Sequence, residues 1–180
     1  MRGDKVLIIE DTVSLSGAIK CELLETYQIH SDVAASIEQA KELLKSNASN
    51  YFIATVDLQL PDGSNGDAVS LVNEHKVPAI VFTGQQDPEI RAHFITHDLV
   101  DYVFKAGAYS IHYICALINR VLFNHEFTIL VVDDSRSALL TLEKLLSNQG
   151  FKIICAKNAA ECMMAMKKKP DMVILDQFLP

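Results

Sequence analysis

The sequence predicts an α/β protein in which helices cover both faces of a parallel β-sheet, followed by part of a second sheet of the same kind. Apolar runs of roughly four to eight residues, rich in Val and Ile, alternate with longer segments of helical period, as in parallel sheets buried on both faces. The second observation is an internal repeat. KVLIIEDTVS at 5–14 resembles TILVVDDSRS at 128–137, and YFIATVDLQLP at 51–61 resembles DMVILDQFLP at 171–180.

The first unit is predicted to contain five strands that alternate with five helices. The apolar runs predict strands near 5–10, 30–35, 51–56, 78–82 and 101–104. The segments of helical period predict helices near 13–27, 37–46, 65–75, 88–97 and 110–123. The last helix has more apolar residues than one core stripe needs: Ile111, Ile114, Leu117, Ile118, Val121 and Leu122. We therefore expect it to have a second packing partner, either the other unit or another chain.

The second unit is predicted to repeat only the first three strands of this plan. Strands are expected near 128–133, 151–155 and 172–175, and helices near 136–149 and 158–168, with Gly150 as the C-terminal cap of the first. This divides the chain into domains 1–124 and 125–180, the second truncated after its third strand. We expect that strand to be an uncovered edge, which favours self-association or disorder of the unit.

Composition excludes several classes of protein. The net charge is -7, the sequence pI is about 5.3 and the basic residues form no stripe, so we expect no binding of nucleic acid. The sequence has neither a signal peptide nor an apolar run long enough for a membrane span, which predicts a cytoplasmic protein without membrane contact. The four cysteines form no CxxC pair, and we expect buried thiols instead of a zinc site or disulfides.

Acidic residues follow the predicted strands in both units. Glu10 and Asp11 follow the first strand, and Asp57 follows the third. Because the carboxyl ends of parallel strands form the ligand-binding edge of such a sheet, these three side chains are expected to converge. Oxygen ligands with few protein contacts suit Mg²⁺. An acid pair alone is more often a helix cap, but the set recurs as Asp133, Asp134 and Asp176.

Two further residues are expected at the same edge of the first sheet. Thr83 follows the fourth predicted strand and Lys105 follows the fifth. A lone Thr there is usually a cap and a lone Lys is usually solvated. Together with Mg²⁺, however, a hydroxyl and an ammonium can neutralise the oxygens of a phosphoryl group held on a carboxylate.

The complete set of motifs resembles the receiver domains of two-component response regulators. The resemblance rests on IIED, VDLQLPDG, VFTG and DYVFK in the first unit, and on VVDDS with ILDQFLP in the second. It covers residues 1–124 and about the first three-fifths of a second receiver. It implies a doubly wound, flavodoxin-like sheet of five parallel strands in the order 2-1-3-4-5, followed by a truncated second copy.

The resemblance also implies a phosphorelay function and a role for each acid. Asp57 would accept a phosphoryl group from a histidine kinase or a phosphotransfer protein. Mg²⁺ would be bound directly by Asp11, Asp57 and the carbonyl of Gln59, and through water by Glu10. In the second unit the corresponding residues are Asp133, Asp134, the acceptor Asp176 and the carbonyl of Phe178. Such a module would catalyse no reaction beyond its own phosphorylation.

The remaining implied residues bind the phosphoryl group and report its presence. Thr83 and Lys105 would bind the phosphoryl oxygens, and Tyr102 would be the aromatic residue that moves inward with Thr83. Receivers usually have a cis-proline after the lysine, whereas here Ala106 follows Lys105. We therefore expect either a cis Lys105–Ala106 bond, which costs about 2.5–4 kcal/mol without proline, or a trans bond in a rearranged loop.

Tandem receivers with so short a link resemble the input half of certain diguanylate cyclases, which carry a GGDEF-type output domain. Hybrid histidine kinases are the other common setting, and a homodimer is a further expectation. A pseudo-receiver, which keeps the fold and has lost the switch, stays open as an alternative. A haloacid-dehalogenase-like phosphatase would need an aspartate where Gln59 and Phe178 stand. A dinucleotide enzyme would need a GxGxxG motif, which the sequence lacks.

Overall fold

A computed structural model describes residues 3–64, 66–85 and 99–178. The chain folds as two compact units, unit 1 (Met1–Asn119) and unit 2 (Arg120–Pro180). The domain boundaries predicted from the sequence, 1–124 and 125–180, fall a few residues later and stay a prediction. Among the described residues, no helix is both long enough and apolar enough to span a membrane.

Unit 1 contains a parallel sheet of five strands in the order β2-β1-β3-β4-β5, which confirms the predicted fold class and strand order. The strands are β1 (Lys5–Ile9), β2 (His30–Ala34), β3 (Tyr51–Val56), β4 (Ala79–Thr83) and β5 (Leu99–Phe104). Each lies within about two residues of its predicted position. The inner strands β1, β3 and β4 are almost entirely buried, and such strands end where their apolar runs end.

Four helices accompany this sheet in the described part of the chain. They are α1 (Val13–Tyr27), α2 (Ile37–Asn47), α3 (Asp67–Glu74) and α4 (Ala108–Asn124), with a 3-10 turn over Ala48–Asn50. Helix α3 begins two residues later than predicted, because its N-cap Gly66 has a φ of 100°, outside the helical region. The helix predicted near 88–97 lies outside the described residues.

The core of unit 1 lies against its central strands. All six residues of β3 are buried, and so are all five of β4. On the part of helix α4 that belongs to unit 1, Ile114, Leu117 and Ile118 are buried and Ile111 is half-buried. The rigid central strands therefore fix the positions of the residues that follow them.

Unit 2 contains a parallel sheet of three strands in the order β7-β6-β8. The elements are β6 (Thr128–Val132), α5 (Arg136–Asn148), β7 (Lys152–Ala156), α6 (Ala159–Met166) and β8 (Met172–Leu175). Gly150 has a φ of 93° just beyond α5, in agreement with its predicted capping role. Strand β8 is an edge, and Met172 and Leu175 are 57% and 59% exposed. The predicted self-association or disorder of this unit stays a prediction.

The prediction of buried thiols is wrong for most of the cysteines. All four are free, but Cys21 and Cys155 are exposed, Cys162 is half-buried and only Cys115 is buried. Cys21 lies on an outward face of α1, and Cys155 lies in the edge strand β7. The general tendency of cysteine to be buried does not indicate which face of an element a given position occupies.

Candidate functional site

The acids of unit 1 are held at the edge of the sheet by backbone hydrogen bonds that continue its ladder. The Glu10 N–H donates to the Ala34 carbonyl at 2.9 Å, and the Asp57 N–H donates to the Ile9 carbonyl at 2.9 Å. The adjacent strands β1 and β3 therefore deliver their acids side by side. Carboxylate oxygens of Glu10, Asp11 and Asp57 lie within 4.8 Å of one another, as predicted from their strand-end positions.

Burial differs among these three carboxylates. Glu10 is 2% exposed and Asp57 is 5% exposed, whereas Asp11 faces solvent. Two buried carboxylates so close together need compensating charge, because like charges repel strongly where water does not screen them. The pocket supplies part of this charge itself.

That charge is the ammonium of Lys105. Its Nζ lies 2.7 Å from Oε2 of Glu10 and 2.6 Å from Oδ2 of Asp57, and 5.6 Å from the centre of the Phe82 ring. The Lys105 N–H also donates to the Thr83 carbonyl at 2.9 Å, which continues the pairing of β4 with β5. Of the two expected backbone states, the structure has the trans Lys105–Ala106 bond, since no described peptide bond is cis.

The donor set of this pocket fits a divalent cation. Three carboxylates and one ammonium leave two formal negative charges in the pocket, which one divalent ion would balance. The donors are oxygens at a half-buried edge that is open to water on the side of Asp11, and Mg²⁺ prefers oxygen ligands together with several waters. The chemistry of the residues present is therefore that of a hard-cation site.

The remaining predicted residues of unit 1 lie beside this pocket. Thr83 is fully buried, and its hydroxyl accepts a hydrogen bond from the Gln85 N–H at 3.3 Å. The Tyr102 hydroxyl donates to the Gln85 carbonyl at 3.2 Å, so Gln85 links these two side chains. The Gln59 N–H donates to Oδ1 of Asp57 at 3.2 Å, which places the Gln59 backbone next to the acid.

Unit 2 repeats the backbone arrangement of the acids. The Asp133 N–H donates to the Ala156 carbonyl at 3.1 Å, and the Asp176 N–H donates to the Val132 carbonyl at 2.9 Å. Oxygens of Asp133, Asp134 and Asp176 again lie within 4.8 Å of one another. The Phe178 N–H donates to Oδ1 of Asp176 at 3.4 Å, as Gln59 does to Asp57.

The surroundings of the second cluster differ from those of the first. Asp133 and Asp176 are half-buried, whereas Glu10 and Asp57 are buried. Asp134 is exposed. Lys105 follows the fifth strand of its sheet, whereas the described part of unit 2 has three strands. Within those described ranges, unit 2 thus has the carboxylates of the predicted site without a residue in the position of Lys105.

Three further residues of unit 1 with specific contacts were given no role in the sequence analysis. Phe82 supports the Lys105 ammonium, Gln85 joins Thr83 to Tyr102, and Asp62 binds the first turn of α2. In the sequence, Phe82 resembles any strand residue and Gln85 any loop residue. Asp62, in the run Pro61-Asp62-Gly63, carries the signal of a turn, and the pattern contains nothing that identifies its distant partner.

Comparison with known proteins identifies similar sequences and structures. The family model of the response regulator receiver domain matches residues 6–111, more than half of the chain. Two solved structures of two-component system response regulator/GGDEF domain proteins are each 27% identical in sequence to this chain. Each alignment covers 98% of this chain and 72% of the other, with TM-scores of 0.85 and 0.84.

Other similar structures share the fold at lower identity. The non-phosphorylated HemR receiver domain from Leptospira biflexa is 23% identical and has a TM-score of 0.55, and the match covers 64% of this chain and 92% of the other. A search of curated proteins found no match. The family match ends before unit 2 begins, so the interpretation of unit 2 as a second copy stays a prediction.

Proposed function

The chain belongs to the response regulator receiver domain family, and on that premise we propose that unit 1 is a phosphorylatable switch whose acceptor is Asp57. The observation that carries the proposal is the ion pair of Lys105 with both Glu10 and Asp57. It combines a poorly hydrated acceptor carboxylate with a fixed cation at the edge of the sheet. A pocket that had lost its switch would not need to retain this costly arrangement.

The proposed reaction is the transfer of a phosphoryl group to Asp57. A carboxylate oxygen of Asp57 forms the new O–P bond while the N–P bond of a phosphohistidine donor breaks, and the donor imidazole takes up a proton. Bound Mg²⁺ would supply charge stabilisation for the phosphoryl oxygens. Asp11, Asp57 and the carbonyl of Gln59 would hold the ion, with Glu10 acting through water. In the product, Lys105 would pair with a phosphoryl oxygen instead of with free Asp57.

We also propose that Thr83 and Tyr102 report the phosphorylated state. The Thr83 hydroxyl would lose its hydrogen bond from the Gln85 N–H when it turned toward the phosphoryl group. Because the Tyr102 hydroxyl donates to the same residue, a shift of Gln85 would release both side chains. The readout would be a change at the surface formed by β5 and α4, with a homodimer as one outcome.

The partners follow from the same proposal. A histidine kinase or a phosphotransfer protein would donate the phosphoryl group in the cytoplasm. The two similar proteins with GGDEF domains support a diguanylate cyclase as the output. Unit 2 would correspond to the first three strands of a second receiver, in which Asp176 corresponds to the acceptor and Asp133, Asp134 and the Phe178 carbonyl correspond to the metal ligands.

Intact-mass spectrometry after incubation with acetyl phosphate and Mg²⁺ tests this function. We expect one phosphate on the wild type and on Asp176→Asn, because the second variant leaves the pocket of unit 1 unchanged. Asp57→Asn should gain none. An unmodified wild type would favour a pseudo-receiver, and a stable phosphate on Asp176 in the Asp57→Asn variant would contradict the assignment of the acceptor.

A further inference from the structure

The carboxylate of Asp62 binds the start of a helix that is distant in sequence. Its Oδ1 accepts a hydrogen bond from the Ile37 N–H at 2.9 Å, and its Oδ2 accepts one from the Glu38 N–H at 3.0 Å. The hydroxyl of Ser36, the N-cap of α2, accepts from the Gln39 N–H at 3.2 Å. The first turn of α2 therefore has three of its free amides satisfied by side chains, two of them by Asp62.

This contact has a clear electrostatic basis. The first turn of a helix carries partial positive charge, and a carboxylate that accepts two amide bonds there is stabilised in its ionised form. The N–H groups of Ile37 and Glu38 accordingly hold the pKa of Asp62 below its usual value, with a smaller contribution from nearby Lys41. Both carboxylate oxygens are engaged, so Asp62 is charged and held in one orientation at neutral pH.

Asp62 lies in the loop that connects Asp57 to α3. Leu58 and Leu60 anchor the first part of this loop, since both are buried in the main core cluster of unit 1. Gln59, between them, is exposed. The contact of Asp62 with α2 restrains the loop on the far side of Gln59. The Gln59 backbone is therefore held by the packing of its two leucine neighbours and, further along the loop, by the hydrogen bonds of Asp62.

We propose that Asp62 is a positioning residue that holds the Gln59 carbonyl in place for the cation by fastening its loop to the N-terminus of α2. This role rests on the proposed function, because it presumes that the Gln59 carbonyl binds Mg²⁺. Asp62 is not itself a ligand: its oxygens face the amides of α2, and it is absent from the acid cluster found among the described residues. It acts on the cation site only through the loop.

Paired variants separate this role from a simple effect of charge. Asp62→Asn removes one negative charge and turns an amide donor toward an amide donor of α2, so it breaks at least one of the two bonds without a change in volume. Glu38→Gln removes the same charge from the adjacent first turn of α2 and leaves the Glu38 N–H free to donate to Asp62. Asp62→Ala, which removes both bonds, serves as a second test variant.

Two measurements are made on each protein. Hydrogen exchange of the Ile37 and Glu38 amides reports the contact itself, and a Mg²⁺ titration followed by backbone amide spectra gives Kd. We expect faster exchange at both amides, and a Kd roughly 10-fold higher, in the two Asp62 variants, at the low end of the effect of outer-shell partners. Glu38→Gln should retain slow exchange at Ile37 and change Kd by less than about twofold.

Each contrary result has a distinct meaning. Unchanged exchange in Asp62→Asn and Asp62→Ala would show that the contact is absent in solution, and faster exchange with an unchanged Kd would show that it stabilises α2 alone. An equal rise of Kd in Glu38→Gln would show that charge, and not position, is responsible. Any of these overturns the role of Asp62 while wild-type Mg²⁺ binding remains. A wild type that binds no Mg²⁺ overturns the proposed function, and this role with it.

Discussion

In unit 1 the acid Asp57 follows a strand whose six residues are all buried, whereas in unit 2 Asp176 follows a strand with three of its four residues exposed. Nevertheless, both acids donate their N–H to the last residue of the first strand of their own sheet, Ile9 of β1 and Val132 of β6, at the same distance of 2.9 Å. Backbone pairing of three strands is thus sufficient to gather three carboxylates. Their burial and their compensating cation in unit 1 depend on β4 and β5, which have no counterpart in the described part of unit 2.

The sheet register makes this comparison specific to individual positions. Val6 of β1 is paired with Ile53, and the corresponding Ile129 of β6 is paired with Met172. Ile53 is fully buried, whereas Met172 is 57% exposed. The two strands therefore offer matched positions, each with a large apolar side chain, that differ strongly in burial.

The largest expected difference concerns these two matched positions. Ile53→Ala should reduce the free energy of unfolding of unit 1 by about 2–5 kcal/mol, because it leaves a cavity in a closed core. Met172→Ala should reduce that of unit 2 by less than about 1 kcal/mol, because the side chain already faces water. Urea unfolding measures both. Equal losses would mean that β8 is covered in solution, as self-association through this edge would cover it.

The second expected difference concerns the cation of unit 1. Lys105→Met should destabilise unit 1 by about 2–3 kcal/mol, somewhat less than the loss of one partner from a fully buried ion pair, because the lysine side chain is 18% exposed. Mg²⁺ should restore part of this loss, since it can neutralise the same oxygens.

Lys157→Met is the matched control in unit 2. Lys157 lies 3.7 Å from Glu161 in an exposed pair, and its loss should cost less than about 0.5 kcal/mol. Urea unfolding compares each variant with the wild type. If the two lysine variants lower the unfolding midpoints of their own units by similar amounts, Glu10 and Asp57 do not depend on Lys105 for their charge compensation.

The smallest expected difference concerns the response to Mg²⁺. At ten times its Kd, a ligand that binds only the folded state adds about 1.4 kcal/mol to the free energy of unfolding. Asp11→Asn should therefore flatten the rise in the Tm of unit 1 with Mg²⁺. Asp134→Asn, the same change in unit 2, should leave that rise intact. A rise that survives in Asp11→Asn would remove this acid from the ligand set.

Most of the fold and the acid clusters follow from local sequence patterns. The apolar runs around Ile53 and Ile129 predict strands, and acids directly after such strands must meet at one edge of a parallel sheet. The contacts that complete the pocket depend on tertiary distances. The ammonium of Lys105 reaches two acids despite a trans bond to Ala106, and Asp62 reaches an amide 25 residues away. No periodicity encodes these distances.

The ion pairs of Lys105 have a further consequence for selectivity. The ammonium is tethered, so it competes for the oxygens of Glu10 and Asp57 at an effective concentration on the order of millimolar or higher. A singly charged ion that displaced it would replace like charge with like and gain little Coulomb energy. A doubly charged ion gains about twice as much at the same distance. At a cation site formed by these acids, the lysine would therefore disfavour monovalent ions and leave the carboxylate oxygens accessible to divalent ions.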